Sequence, residues 1–151
     1  MLLTIFVTVV TIGLCNAIHF LALRQLAHIF SPNPPPLRRP VLFVSFAIFV
    51  IHLIEVAVYG IAMWFLSVTD RGALASLSHM PDEGPAEFFY FSIASYTTLG
   101  IGDIVPEGHL RILVGVEALQ GLILIAWSAS FTYLVMEKFW STGHQDVLDN
   151  A

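Results

Sequence analysis

Three stretches of this chain are too apolar to lie in water along their whole length, and that limits its folds before any motif is weighed. Residues 1–23 carry no charged side chain, residues 41–67 carry only Glu55, and residues 118–136 carry none. With their flanks, these runs reach the roughly 20 residues a helix needs to cross a hydrocarbon core. Only 11% of the 151 residues are charged, where a soluble domain has about 25%. The mean hydropathy is +0.82. The pattern predicts an all-α membrane protein with three transmembrane helices. A net charge of −5 offers no basic face for nucleic acid. The length suggests one domain, and no internal repeat is visible. Cys15 is the single cysteine, which excludes a disulfide framework or a thiolate zinc site. It reads as a small buried or lipid-facing side chain.

The first segment, residues 1–30, reads as a retained helix. A cleaved leader would need a basic start and a small-residue cleavage site, and neither precedes Arg24. Thr4, Thr8 and Thr11 fall on one helical face. They read either as a helix–helix contact through small polar groups or as hydroxyls bonded to their own backbone. Residues 31–40 form a Pro-rich connector: Pro32, Pro34, Pro35 and Pro36 exclude a helix and favour a stiff, extended chain. Arg24, Arg38 and Arg39 bracket it, so the positive-inside rule makes this loop cytoplasmic and the N-terminus external.

The outer helix of the next unit is expected over residues 41–67. His52 and Glu55, three apart, share a face near mid-membrane. They read as a gating or proton-sensing pair, or as a protonated acid bonded to a neighbouring helix. Residues 68–84 are then an extracellular loop. Its Asp70, Asp82 and Glu83 outweigh Arg71, either concentrating cations or solvating the loop. Ala73 to Leu77 suggests a helical turn, and His79 an exposed side chain. Gly84-Pro85-Ala86-Glu87 starts a helix over 85–97, with Pro at its first position and an acid in its first turn. From Phe88 to Tyr96 it is too short to cross a bilayer. It suits a re-entrant half-helix, admissible at membrane depth only where buried in protein. The negative end of its dipole favours a cation. The last helix is expected over 110–138, ending at a cytoplasmic Lys138, with a short tail over 140–151 that has no room for a regulatory domain. Both helices flanking the half-helix therefore end inside, a topology fixed by the arginines alone.

Between the half-helix and the last helix lies Thr97-Thr98-Leu99-Gly100-Ile101-Gly102-Asp103. Alternate glycines let a backbone take conformations that a Cβ resists, so successive carbonyls can face one side. Such a row can replace the water shell of a cation. In a soluble chain the same residues would read as a Gly-rich turn. The segment resembles the potassium-channel filter motif Thr-Val-Gly-Tyr-Gly-Asp, with Leu99 for Val and Ile101 for Tyr. From about Pro85 to Phe139, with 41–67 as outer helix, the chain is similar to small prokaryotic two-helix-plus-pore-loop potassium channels, with an additional N-terminal helix.

The resemblance implies that Thr98, Leu99, Gly100 and Ile101 offer carbonyls to dehydrated K⁺, with the Thr98 hydroxyl completing the innermost site. Thr97 would end the half-helix, Gly102 and Asp103 would form the outer mouth, and Tyr90, Phe91 and Ala94 would support the filter. It also implies a homotetramer in the cell membrane, since one chain supplies one loop of four. The ligand is permeant K⁺, the partners are further copies of the chain and lipid, and no cofactor is needed. Ile101 lacks the hydroxyl, Phe91 the N–H and Ala94 the acid found in many members. The filter is therefore expected to rest on apolar packing more than on hydrogen bonds.

In the last helix, Gly115 and Gly121 suit close packing or a bend. Glu117 suits a structural brace or a gate, with Gln120 in the same network. Trp127, Phe131 and Tyr133 read as core or lipid-facing aromatics. A weakly selective cation channel and a non-conducting scaffold are the alternatives to a K⁺ channel. An intramembrane enzyme built on His52, Glu55 or Glu117 lacks a nucleophile–base pair or metal-ligand spacing. No helix carries the arginine repeat of a voltage sensor.

Overall fold

A computed structural model describes residues 1–29, 40–76 and 84–149. Apart from Pro40, the Pro-rich connector expected over 31–40 lies outside the described residues, as do His79, Asp82 and Glu83 of the outer loop. The elements run α1 (Leu2–Ile29), α2 (Pro40–Val68), β1 (Leu74–Ser76), α3 (Pro85–Tyr96), β2 (Ile104–Pro106) and α4 (Leu110–Asp149). Among the described residues, three helices are long and apolar enough to cross a membrane: Leu2–Ile29, Val41–Val68 and Leu110–Phe139. The chain is an all-α membrane protein with one small two-stranded ribbon.

In the first two thirds of α1 most large apolar residues point outward, and a stripe of small and polar ones points inward. Phe6, Val9, Val10, Leu14, Phe20 and Leu21 are exposed, while Thr4, Thr8, Thr11, Cys15 and His19 are buried in one stripe that continues to Leu23 and Leu26. Lipid tails solvate Leu and Phe as well as a protein core does, so helices in a bilayer meet through small and polar side chains. Thr8 also donates to the Thr4 carbonyl at 2.8 Å. The threonine face is thus a helix contact in which Thr8 bonds its own backbone, while Thr4 Oγ1 is buried without a hydrogen-bond partner among the described residues.

The half-helix α3 packs against both α2 and α4. Gly84 is extended at its entry, Pro85 opens it and Glu87 lies in its first turn. Its last turn closes through the Thr97 N–H to the Ile93 carbonyl, and Thr97 Oγ1 donates to the same oxygen at 2.7 Å. Tyr59, Met63, Leu66, Phe88, Phe91, Tyr96, Leu110, Leu113 and Leu124 form the core around it. A second cluster at the other end joins Leu23, Leu26, Val44, Ile48, Ile51 and Val135.

Residues 74–76 are a strand, not the helical turn that the sequence suggests. Leu74, Ala75 and Ser76 pair antiparallel with Pro106, Val105 and Ile104. An isolated helical turn is unfavourable to nucleate, whereas β2 offers a ladder and buries Leu74 and Ile104. The Glu107 N–H to Ala73 carbonyl and His109 N–H to Arg71 carbonyl bonds, both 2.9 Å, extend this clasp. It ties the outer end of the filter segment to the end of α2. Helix α4 also runs further than the expected 110–138, to Asp149; no proline interrupts it.

Candidate functional site

The segment after α3 alternates in backbone conformation. Thr98, Gly100 and Gly102 have φ of 57°, 54° and 84°, while Leu99 and Ile101 between them stay at negative φ. Alternation between the two halves of φ space turns successive carbonyls toward one side, which no regular strand does. Two amides are anchored to the end of α3: Thr98 N–H to the Ser95 carbonyl at 3.0 Å and Gly100 N–H to the Ala94 carbonyl at 3.1 Å. Residues 97–102 all lie exposed on one flank of the protomer, Leu99 being 66% and Ile101 56% accessible.

Of the three residues expected to support this segment, Tyr90 is the one whose side chain hydrogen-bonds it. Phe91 and Ala94 are buried and pack in the core; Ala94 accepts the Gly100 N–H through its backbone, and neither side chain hydrogen-bonds the filter. The Tyr90 hydroxyl donates to Asp103 Oδ2 at 2.8 Å, and Asp103 Oδ1 accepts the Ile104 N–H at 3.0 Å. The apolar packing of Phe91 and Ala94 is thus joined by a hydroxyl on α3 that reaches across to the outer mouth. The Asp103 carboxylate, by accepting this bond, raises the Tyr90 hydroxyl above the ordinary tyrosine range.

Behind α3, Gly121 lies against the end of the half-helix. A Cβ placed there would run into the Tyr96 carbonyl oxygen, and α4 is helical through this point. The residue is therefore a point of close approach. Gly115 has nothing within 4 Å of such a Cβ. Glu117 is fully buried and faces Ser92 of α3, Oε1 to Oγ at 2.5 Å, while Ser92 Oγ also lies 2.8 Å from the Val56 carbonyl. Ser92 has one hydroxyl hydrogen for two acceptors. A protonated Glu117 that donates to Ser92 Oγ satisfies both contacts, which makes it a brace at the back of the half-helix. Gln120 accepts from the Tyr59 hydroxyl and donates to the Ile12 carbonyl at 3.2 Å.

Below this brace, four helices converge on a polar cluster. His52 Nδ1 and Glu55 Oε2 are 3.0 Å apart, as their spacing on α2 predicts. His19 Nδ1 from α1 lies 2.9 Å from Glu55 Oε1, Tyr96 of α3 donates to Glu55 Oε2 at 2.5 Å, and Ser128 of α4 touches both imidazoles. Sequence reasoning did not single out His19. Its signal was there, since Thr11, Cys15 and His19 continue the threonine stripe at steps of four. Trp127 adds a ring 5.2 Å from His19, Phe131 is half-buried in the lower core, and Tyr133 is exposed. His19, His52 and Glu55 also form the one trio of potential metal ligands among the described residues, with ligand atoms within 4.8 Å of one another. A tetrahedral zinc site needs them about 3.3 Å apart, and each already has a hydrogen-bond partner.

The geometry so far is a half-helix held between two spanning helices, followed by an alternating glycine segment at its C-terminal end. Residues 41–138 match a family model described as "Ion channel". The chain belongs to this ion channel family. The match begins with α2, so α1 and His19 are an addition to the family's unit in this ion channel. No curated protein and no solved structure matches the chain.

Proposed function

We propose that this ion channel is a homotetramer that conducts K⁺ passively through a filter lined by the carbonyls of Thr98, Leu99, Gly100 and Ile101. The observation that carries the reading is the left-handed backbone at Thr98, Gly100 and Gly102, separated by Leu99 and Ile101, on an exposed flank. Four such flanks around an axis make a cage of carbonyl oxygens, which suits a dehydrated monovalent cation. The α3 dipole supports the same sign of ion, because its negative end leads into Thr97 and Thr98. Asp103 with Tyr90 shapes the outer mouth, and the Thr98 hydroxyl closes the inner end. The arginines at 24, 38 and 39 set the N-terminus outside and the end of α4 in the cytoplasm.

Rb⁺ uptake into liposomes tests this reading. Wild-type protein is expected to carry flux, and Gly100→Ala to reduce it to background. A Cβ at Gly100 meets nothing within 4 Å in the protomer but must sit at φ of 54°, which costs about 1–2 kcal/mol. Background flux in the wild type would leave a non-conducting scaffold as the better description, and wild-type flux unchanged by the substitution would place the ion path elsewhere.

Weak selectivity is the second reading, and Ile101 favours it: the side chain is 56% exposed and has no hydrogen-bonding group. A reversal potential near zero in opposed K⁺ and Na⁺ gradients would establish it. A potential close to that of K⁺ would exclude it.

A further inference from the structure

We propose that the buried ring of His19, Ser128, His52 and Glu55 positions the filter through Tyr96, so that α1 is a working part of the pore; this rests on the channel reading above. The ring closes on itself. Its links are Glu55 Oε1 to His19 Nδ1 at 2.9 Å, His19 Nε2 to Ser128 Oγ at 3.3 Å, Ser128 Oγ to His52 Nε2 at 3.1 Å, and His52 Nδ1 to Glu55 Oε2 at 3.0 Å. Helices α1, α2 and α4 each contribute to it. Tyr96 of α3 joins from outside, donating to Glu55 Oε2 at 2.5 Å, with its oxygen 2.9 Å from His52 Nδ1.

Counting hydrogens shows why the ring is a unit. With Glu55 ionised and both imidazoles neutral, one hydrogen on each imidazole and one on each of the two hydroxyls face six contacts: four in the ring and two at Tyr96, of which the one to His52 Nδ1 can only share the hydrogen of that nitrogen. One more proton, shared between Glu55 and the imidazoles, fills the other five and brings the net charge to zero. A buried set that is neutral and leaves no polar atom unpaired has a low desolvation cost, whereas removal of any member exposes that cost in full. The ring is therefore stiff, and what hangs on it is held in place.

What hangs on it is the last residue of the half-helix. Tyr96 is 1% exposed and stands two positions before Thr98, where the alternating backbone begins. Gly121 closes on the Tyr96 carbonyl from α4, so both ends of this residue are clamped. Ala94, two positions earlier, accepts the Gly100 N–H. Movement at Tyr96 must pass into the filter through these bonds. His19 reaches the filter only through the ring, so it is a positioning residue.

The test uses the full chain in lipid, with Tyr96→Phe, His19→Ala and the double variant. Hydrogen exchange over residues 97–102 and the K⁺/Na⁺ permeability ratio are read for each. Each single variant is expected to speed exchange at the Gly100 amide, and to lower the permeability ratio, by about tenfold or more, the factor expected for a lost hydrogen bond to a charged group. The double variant should do no more than either alone, since both act through one ring. Tyr96→Phe keeps the ring and the packing, so it decides the matter if His19→Ala assembles poorly. Wild-type exchange and permeability in Tyr96→Phe, or additive effects in the double variant, would overturn the proposal. If the wild type carries no ion, the channel reading falls, while the exchange measurement still decides whether the ring holds this segment.

Discussion

A methyl group at position 121 has no room, because the Tyr96 carbonyl already occupies that space. Gly121→Ala must therefore push α4 away from α3, and overpacking of this kind costs about 1–3 kcal/mol. Thermal melts in detergent should show the loss, while Gly115→Ala should stay within about 0.5 kcal/mol of wild type. Glu117 offers a second residue-level test. An amide can donate to Ser92 as the protonated acid does, so Glu117→Gln should fold normally. Glu117→Ala empties a fully buried site and strands the Ser92 oxygen, at about 1–3 kcal/mol in the same melts. Tyr90 gives the pH dependence. Its folded pKa is raised by Asp103, so the bond's contribution is complete below the ordinary tyrosine range. It is lost as the pH rises through the raised value. Tyrosinate absorbance, compared between wild type and Tyr90→Phe, should show this phenol ionising later than a free one.

Each element was legible in the sequence to the degree that local chemistry fixed it. Uncharged runs and the Gly-Pro-Ala-Glu start placed α1, α2, α3 and α4, since length, hydropathy and Pro at a first turn are properties of the segment itself. The strand at Leu74 was not legible. Its partner is about thirty residues away, and nothing local distinguishes Leu-Ala-Ser from a helical turn. Tyr90 and Asp103 were legible as filter supports, but the bond between them was not, being set by how α3 lies beside the outer mouth. His19 was visible only as a further step of the threonine stripe, because its partners stand on three other elements. That stripe carries its own test. Thr8 is 5% exposed and bonds only to its own helix. Thr8→Leu should therefore separate α1 from its neighbours at about 1–3 kcal/mol, whereas Val9→Leu on the lipid face should not change the melt.

In the molecule as a whole, the flank at residues 97–102 is exposed, and the proposed tetramer would complete it. Four protomers meeting there would bury Leu99 and Ile101 and complete the carbonyl cage. Cross-linking in lipid should give a ladder that stops at four, and a ladder that stops at two would contradict the proposed assembly. The ring behind the filter also bears on how the protein is made. A carboxylate entering the bilayer alone is costly, by about 2.5–3.5 kcal/mol at a helix centre. Ribosomes deliver α1 before α2 and α4 last, so His19 on α1 and His52 on α2 both precede Glu55 in synthesis, while Ser128 follows it. The acid therefore has two imidazole partners at hand before the last helix is made.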